Sequence, residues 1–170
     1  MDTLKDTLLT TTYTLTTAHH RLGVLRHVLE VVFFAGASDA STEERYQAAL
    51  SELSAADRQA LEALGTDWLA DITQDTLHAT LSDLRTWLEE IPTMTLYVPV
   101  VFAEEQVVEL GQWCRAEIAD PLLLELVVEP ATVGGCAFIH NHTYHDLSLR
   151  ARLAEAPDTV PSILATYESA

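Results

Sequence analysis

Apolar residues recur at helical steps through the first half of the chain. Leu4, Leu8, Thr11, Leu15, Ala18 and Leu22 alternate steps of four and three, which predicts one stripe along one helix. Eight Thr among the first seventeen residues oppose that helix, because β-branched side chains lose rotamer freedom there, so packing must hold it. Leu25, Val28, Leu29, Val32 and Phe33 carry the helical pattern on to Gly36. Ser41-Thr42-Glu43-Glu44 spells a capping box, followed at helical spacing by Tyr46, Ala49, Leu50 and Leu53. Ser54 and Asp57 open a shorter helix carrying Leu61 and Leu64, closed by Gly65. Thr66 caps a turn with Trp68, Leu69 and Ile72. Leu77, Leu81, Leu84 and Leu88 then mark a helix that Pro92 stops. Five to six amphipathic helices on such short linkers predict an antiparallel bundle, with Trp68 and Trp87 in its core.

Beyond Pro92 the pattern turns mixed. Thr95–Val101 reads as a strand whose Pro99 implies an edge position or a bulge. Ala103–Glu117 reads as a helix with Val107, Leu110, Gly111, Cys114 and Ile118 on its apolar face, and Glu104-Glu105 complement its N-terminal dipole. Leu122–Glu129 is apolar enough for a largely covered strand. After Gly134-Gly135, Cys136–His140 forms another strand, and Asn141-His142-Thr143 turns it into a hairpin with Tyr144 on the return. A helix over Leu147–Glu155 and a short one beyond Pro157 complete the chain. The predicted class is α+β: a helical bundle over 1–92, then a small α/β domain with a short sheet and hairpin over 93–170. No internal repeat is evident.

Charge narrows the partners. Nine Lys and Arg stand against 26 Asp and Glu, a formal net charge of −17. Lys5 is the only lysine and the eight Arg are scattered, which argues against a basic groove for nucleic acid. An anionic membrane surface repels such a chain, and a basic protein partner is attracted to it. The most apolar stretch, Leu22–Ala37, is interrupted by Arg26, His27 and Glu30, short of the ~20 apolar residues a bilayer span requires. The Thr-rich, acidic N-terminus is unlike a signal or transit peptide. Cys114 and Cys136 form no C-x-x-C and read as reduced thiols. The expectation is a soluble, cytoplasmic protein without direct membrane insertion.

One string has metal-binding chemistry. His140-Asn141-His142-Thr143-Tyr144-His145-Asp146 gathers three imidazoles and a carboxylate, and three such ligands with an open position can activate water on zinc. Its order, H-x-H-x-x-H-D, departs from the H-x-H-x-D-H run of metallo-β-lactamase-like hydrolases, and no His follows His145 to complete such a set. On a strand His140 and His142 would share a face, which suits adventitious Zn or Ni. Exposed hairpin-tip residues are the simpler reading of His140, His142 and His145. No phosphate loop, no G-x-S-x-G and no paired carboxylates at a cleft are present, so neither a catalytic residue nor a cofactor is expected.

Residues 94 to 153 run strand, acidic helix, strand ending in Glu129-Pro130, then Val133-Gly134-Gly135, a hairpin, and Asp146-Leu147-Ser148 followed by Arg152-Leu153. This order and spacing are very similar to the C-terminal domain of the F-type ATP synthase δ subunit, the family of the mitochondrial oligomycin-sensitivity-conferring protein. That family begins with a six-helix bundle, as predicted here in kind, although its early aromatic-Ala-x-Ala segment has no counterpart beyond Tyr13 near that position. The resemblance implies structural roles for Pro130, Gly134, Gly135, Asp146, Ser148 and Leu153. Gly134-Gly135 would allow a tight backbone turn, Asp146 would cap the last helix, Ser148 would bond the same turn and Leu153 would close the small core. It also implies a non-catalytic connector in the peripheral stalk, one copy per complex. The bundle would grip the N-terminal helices of the α subunits, and the C-terminal domain would meet the b subunits. Tyr13 is then a candidate partner contact, and Leu8 and Leu15 are the candidate anchors on the first helix, though the same stripe suits a bundle core. Trp113 falls with Gln106 and Glu109, away from the Val107/Cys114 stripe, and is the candidate exposed aromatic. The rival readings are a δ-like scaffold for another helical partner and a small metal-dependent hydrolase using the three histidines.

Overall fold

The computed structural model describes residues 2–34, 40–132 and 134–155. The predicted helix end at Gly36, Val133 and the short helix beyond Pro157 lie outside the described residues. The elements run α1 (Asp2–Thr10), α2 (Leu15–Phe34), α3 (Thr42–Ser51), α4 (Ala55–Glu62), a 3-10 turn at Asp67–Asp71, α5 (Leu77–Glu90), β1 (Thr93–Val98), α6 (Glu104–Glu117) and β2 (Leu123–Val128). A second 3-10 turn (Pro130–Thr132), β3 (Ala137–His140), β4 (Thr143–Asp146) and α7 (Leu149–Glu155) follow. Among the described residues there are seven α-helices and one mixed four-stranded sheet, so the class is α+β. None of those helices is long and apolar enough to cross a membrane.

The N-terminal stripe predicted as one helix is two. Thr10 and Thr11 turn their hydroxyls back onto the carbonyls of Asp6 and Thr7, and α1 ends there. Thr14 then accepts the Thr17 amide on its Oγ1 at 3.1 Å and starts α2 as its N-cap. The Thr run that weakens the helix in sequence is thus where it breaks. Downstream, the Ser41 capping box is present in full, with the Ser41 amide on Glu44 Oε2 at 2.8 Å and the Glu44 amide on Ser41 Oγ at 3.2 Å.

In the sheet the order is β2-β1-β3-β4, with β1 and β2 parallel and the other pairs antiparallel. β1 is central, which corrects the edge or bulge predicted from Pro99. Proline has no amide to donate, and the strand simply stops at Val98 before it. Asn141 and His142 adopt φ of 47° and 61°, the pair of positive values that a two-residue turn of the I′ type needs between twisted strands.

Two apolar cores meet at β2. The larger gathers residues of α1 to α5 with Leu123; the smaller holds Met94, Cys114, Leu122 and Leu124, with Leu110, Leu126 and Phe138 against it. Strand alternation sends Leu123 to one side and Leu122 and Leu124 to the other. Each fully buried leucine in these cores contributes about 1.5–3 kcal/mol. Trp68 is buried as predicted and Trp87 only partly; Ile118, predicted on the apolar face, is the C-cap of α6 and 39 % exposed.

Gly23 lies inside α2 with open space around its Cα, so Gly23→Ala should stabilise the chain by about 0.5–1 kcal/mol through helix propensity, read by urea denaturation. Tyr46 is fully buried, edge-on to Trp68 at 5.8 Å. Burial, reinforced by Glu62, pushes its hydroxyl up from 10.0 to about 12. A raised phenol pKa means the folded state resists ionisation. The associated stability is therefore intact below pH 10 and lost as pH rises towards 12. Denaturation of wild type and Tyr46→Phe across that range should show a steeper alkaline loss for wild type. Equal slopes would refute it.

Candidate functional site

The three histidines are held apart in role. His140 is half-buried on β3 opposite Thr143, with its Nδ1 buried and unpartnered. His142 sits in the left-handed turn, so it does not share a strand face with His140 as predicted. His145 stacks on Phe138 with ring centres 4.7 Å apart. Among the described residues no group of three or more His, Cys, Asp or Glu is arranged to hold a metal ion.

Four of the motif residues around the hairpin, Gly134, Gly135, Asp146 and Ser148, gather at one junction. Pro130 opens the 3-10 turn, and Gly134 and Gly135 follow with φ of +86° and +76°. A Cβ on Gly135 would lie 2.5 Å from the Leu147 carbonyl oxygen, so only glycine lets the backbone pass there. The Leu149 amide donates to the Gly134 carbonyl at 2.9 Å. The capping roles differ from the expectation by two residues. Ser148 Oγ accepts the Ala151 amide at 3.2 Å and caps α7, while Asp146 Oδ1 accepts the Ser148 amide at 2.9 Å and fixes that cap. Hydrogen bonds from the Ser148 hydroxyl and amide hold the Asp146 carboxyl below its ordinary range. Leu153 is 41 % exposed and no residue of α7 is buried, so Leu153 does not close the small core.

The candidate anchors divide sharply. Leu8 is 2 % exposed within the larger core and presents no surface to a partner; Leu15 is half-buried against that core. Tyr13 is engaged inside the chain. Its carbonyl accepts the Leu124 amide at 2.8 Å, and Thr14 bridges to Leu124, which covers the outer edge of β2. Its ring lies against Gly111 and beneath the Arg115 guanidinium, 4.8 Å from the ring centre. Trp113 is the candidate left on the surface, 57 % exposed.

Arg115 is the residue the sequence reading missed. Its guanidinium donates to three carbonyls, those of Leu122 at 3.0 Å, Leu9 at 2.7 Å and Thr12 at 2.6 Å. One side chain on α6 thereby ties the end of α1, the Thr11–Thr14 break and the start of β2. Burial pulls its pKa down, opposed by Asp120 and Tyr13, yet a guanidinium stays charged in proteins. The only signal in sequence was spacing: Arg115 stands four residues after Gly111, beside the apolar stripe. A cleft of about 590 Å³ flanks this tie, walled by Leu9, Tyr13, Trp87, Gln112 and Arg115.

The surface of α6 is acidic around Trp113. Glu105, Glu109, Trp113 and Glu117 follow one another at steps of four, and all are exposed. Among the described residues the ion pairs are His20–Asp57, Arg26–Glu30 and Arg85–Glu89, none of which involves these glutamates. These features define an α+β protein whose two halves are tied by Arg115 and whose open chemistry is an aromatic residue framed by carboxylates. The chain matches no protein-family model and no curated protein.

Proposed function

We propose that the chain is a δ-type subunit of an F-type ATP synthase, a non-catalytic stator connector. In this reading a helical bundle over 1–92 and a small α/β domain over 93–170 join the α-subunit N-terminal helices to the peripheral-stalk b subunits. The protein resists rotor torque during proton-driven synthesis, sits in the cytoplasm and meets the membrane only through the complex. The observation that carries the reading is the junction of Gly134, Gly135, Asp146 and Ser148, four of the residues through which the sequence resembles that family. They meet at the passage from hairpin to α7, as linked structural residues would. Both contacts would be of the helix-in-groove kind, with apolar anchors and charge around them. Leu15 is reachable by an α-subunit helix, whereas Leu8 is not without opening the core.

One observation favours a second reading, a δ-like scaffold with a different helical partner. Two of the three N-terminal candidates, Leu8 and Tyr13, are consumed by the fold itself. Calorimetric titration with a synthetic peptide of the cognate α-subunit N-terminus separates the two. Saturable one-to-one binding is expected of the stator connector; silence up to high micromolar peptide would reject it in favour of the scaffold.

A further inference from the structure

We propose that the outer face of α6 docks a basic amphipathic helix of a partner protein, with Trp113 as its anchor. Trp113 is more than half exposed, although burying an indole is worth far more than leaving it in water. Glu109 and Glu117 stand one turn to either side of it, and Glu105 one turn further back. Like charges four residues apart, as in Glu105 and Glu109, destabilise a helix. The fold does not relieve them: Arg115, the only cation on α6, is spent on three carbonyls on the opposite side.

Charge selects the occupant. Nucleic acid and anionic lipid are repelled, and a second copy would bring the same −17 to the contact. A helix with Lys or Arg flanking an apolar seam answers both features, its seam covering the indole and its cations meeting the glutamates and the ring face. The 14 residues of α6 offer about 21 Å of length, enough for several turns of a partner. The inference uses only exposure and charge, so it stands or falls separately from the stator reading and its α-subunit peptide.

The test is calorimetry on the full chain with a synthetic Leu/Lys amphipathic helix, and a Leu/Glu helix of the same pattern as control. Binding of the basic peptide alone is expected, with the Trp113 indole resonance moving during an NMR titration. Trp113→Ala should weaken binding about tenfold or more, as hot-spot aromatics do, while Trp113→Phe retains most of it. The pair Glu109→Gln and Glu117→Gln should weaken binding at low salt and flatten its salt dependence. Circular dichroism of each variant checks that α6 is intact. Equal affinity for wild type and Trp113→Ala would overturn the proposal, because binding would then be diffuse charge attraction. Sedimentation showing a Trp113-dependent dimer at micromolar concentration would overturn it too, assigning the face to a second copy.

Discussion

Arg115→Met should destabilise the protein by about 3–4 kcal/mol. A hydrogen bond from a charged donor is worth roughly 1.5–3 kcal/mol, and the guanidinium makes three, to Leu9, Thr12 and Leu122. They are not additive, and solvent reaches part of the site, which holds the total below their sum. Methionine keeps much of the stem's packing and so isolates the polar loss. For a chain of this size the change corresponds to a fall in melting temperature of about 6–16 °C. Arg115→Lys should recover less than half, since a single ammonium cannot span three divergent carbonyls. Hydrogen exchange offers a local readout: the Leu124 amide, bonded to the Tyr13 carbonyl across the seam, should exchange faster in Arg115→Met. A loss below about 1 kcal/mol with unchanged Leu124 protection would show that Arg115 is not the tie between the halves.

Gly111→Val should cost about 3 kcal/mol from steric conflict at the same seam. A Cβ at this position would fall 2.5 Å from the Tyr13 Cβ, 2.6 Å from Cδ1 and 2.7 Å from Cγ. Those atoms sit at the root of the side chain, and the Tyr13 backbone is itself fixed by its bond to Leu124. No rotamer change of Tyr13 removes its Cβ from the path. Gly111→Ala meets the same clash, but recovers about 1 kcal/mol of helix propensity and should be milder. The expected rise from Gly23→Ala, a helical glycine with open space around it, is the control for propensity alone. A double-mutant cycle with Tyr13→Gly, which removes the Cβ that alanine would keep, measures the conflict: most of the Gly111→Val loss should vanish in that background, a coupling above about 1 kcal/mol. Additive losses would mean that the Gly111–Tyr13 approach is not the cause.

The local elements were legible because their signals are local. The Ser41 capping box, the Leu77–Leu88 helix stopped by Pro92, the α6 helix and the hairpin after Cys136 all follow from neighbours a few residues apart. Charge and residue spacing likewise determined that this is an acidic α+β chain with Trp113 off the apolar stripe of its helix. Sequence periodicity was silent on the rest. It ran the first stripe through Thr11–Thr14 because a stripe scores apolar spacing, not the competing hydroxyl bonds that end α1. It offered Leu8 and Leu15 as surface anchors because helical phase cannot tell a core-facing stripe from a docking stripe. Only the tertiary structure decided that. Residues about a hundred positions apart close on one another at Arg115, Tyr13 and Gly111, and the backbone carbonyls that Arg115 binds leave no trace in residue identity.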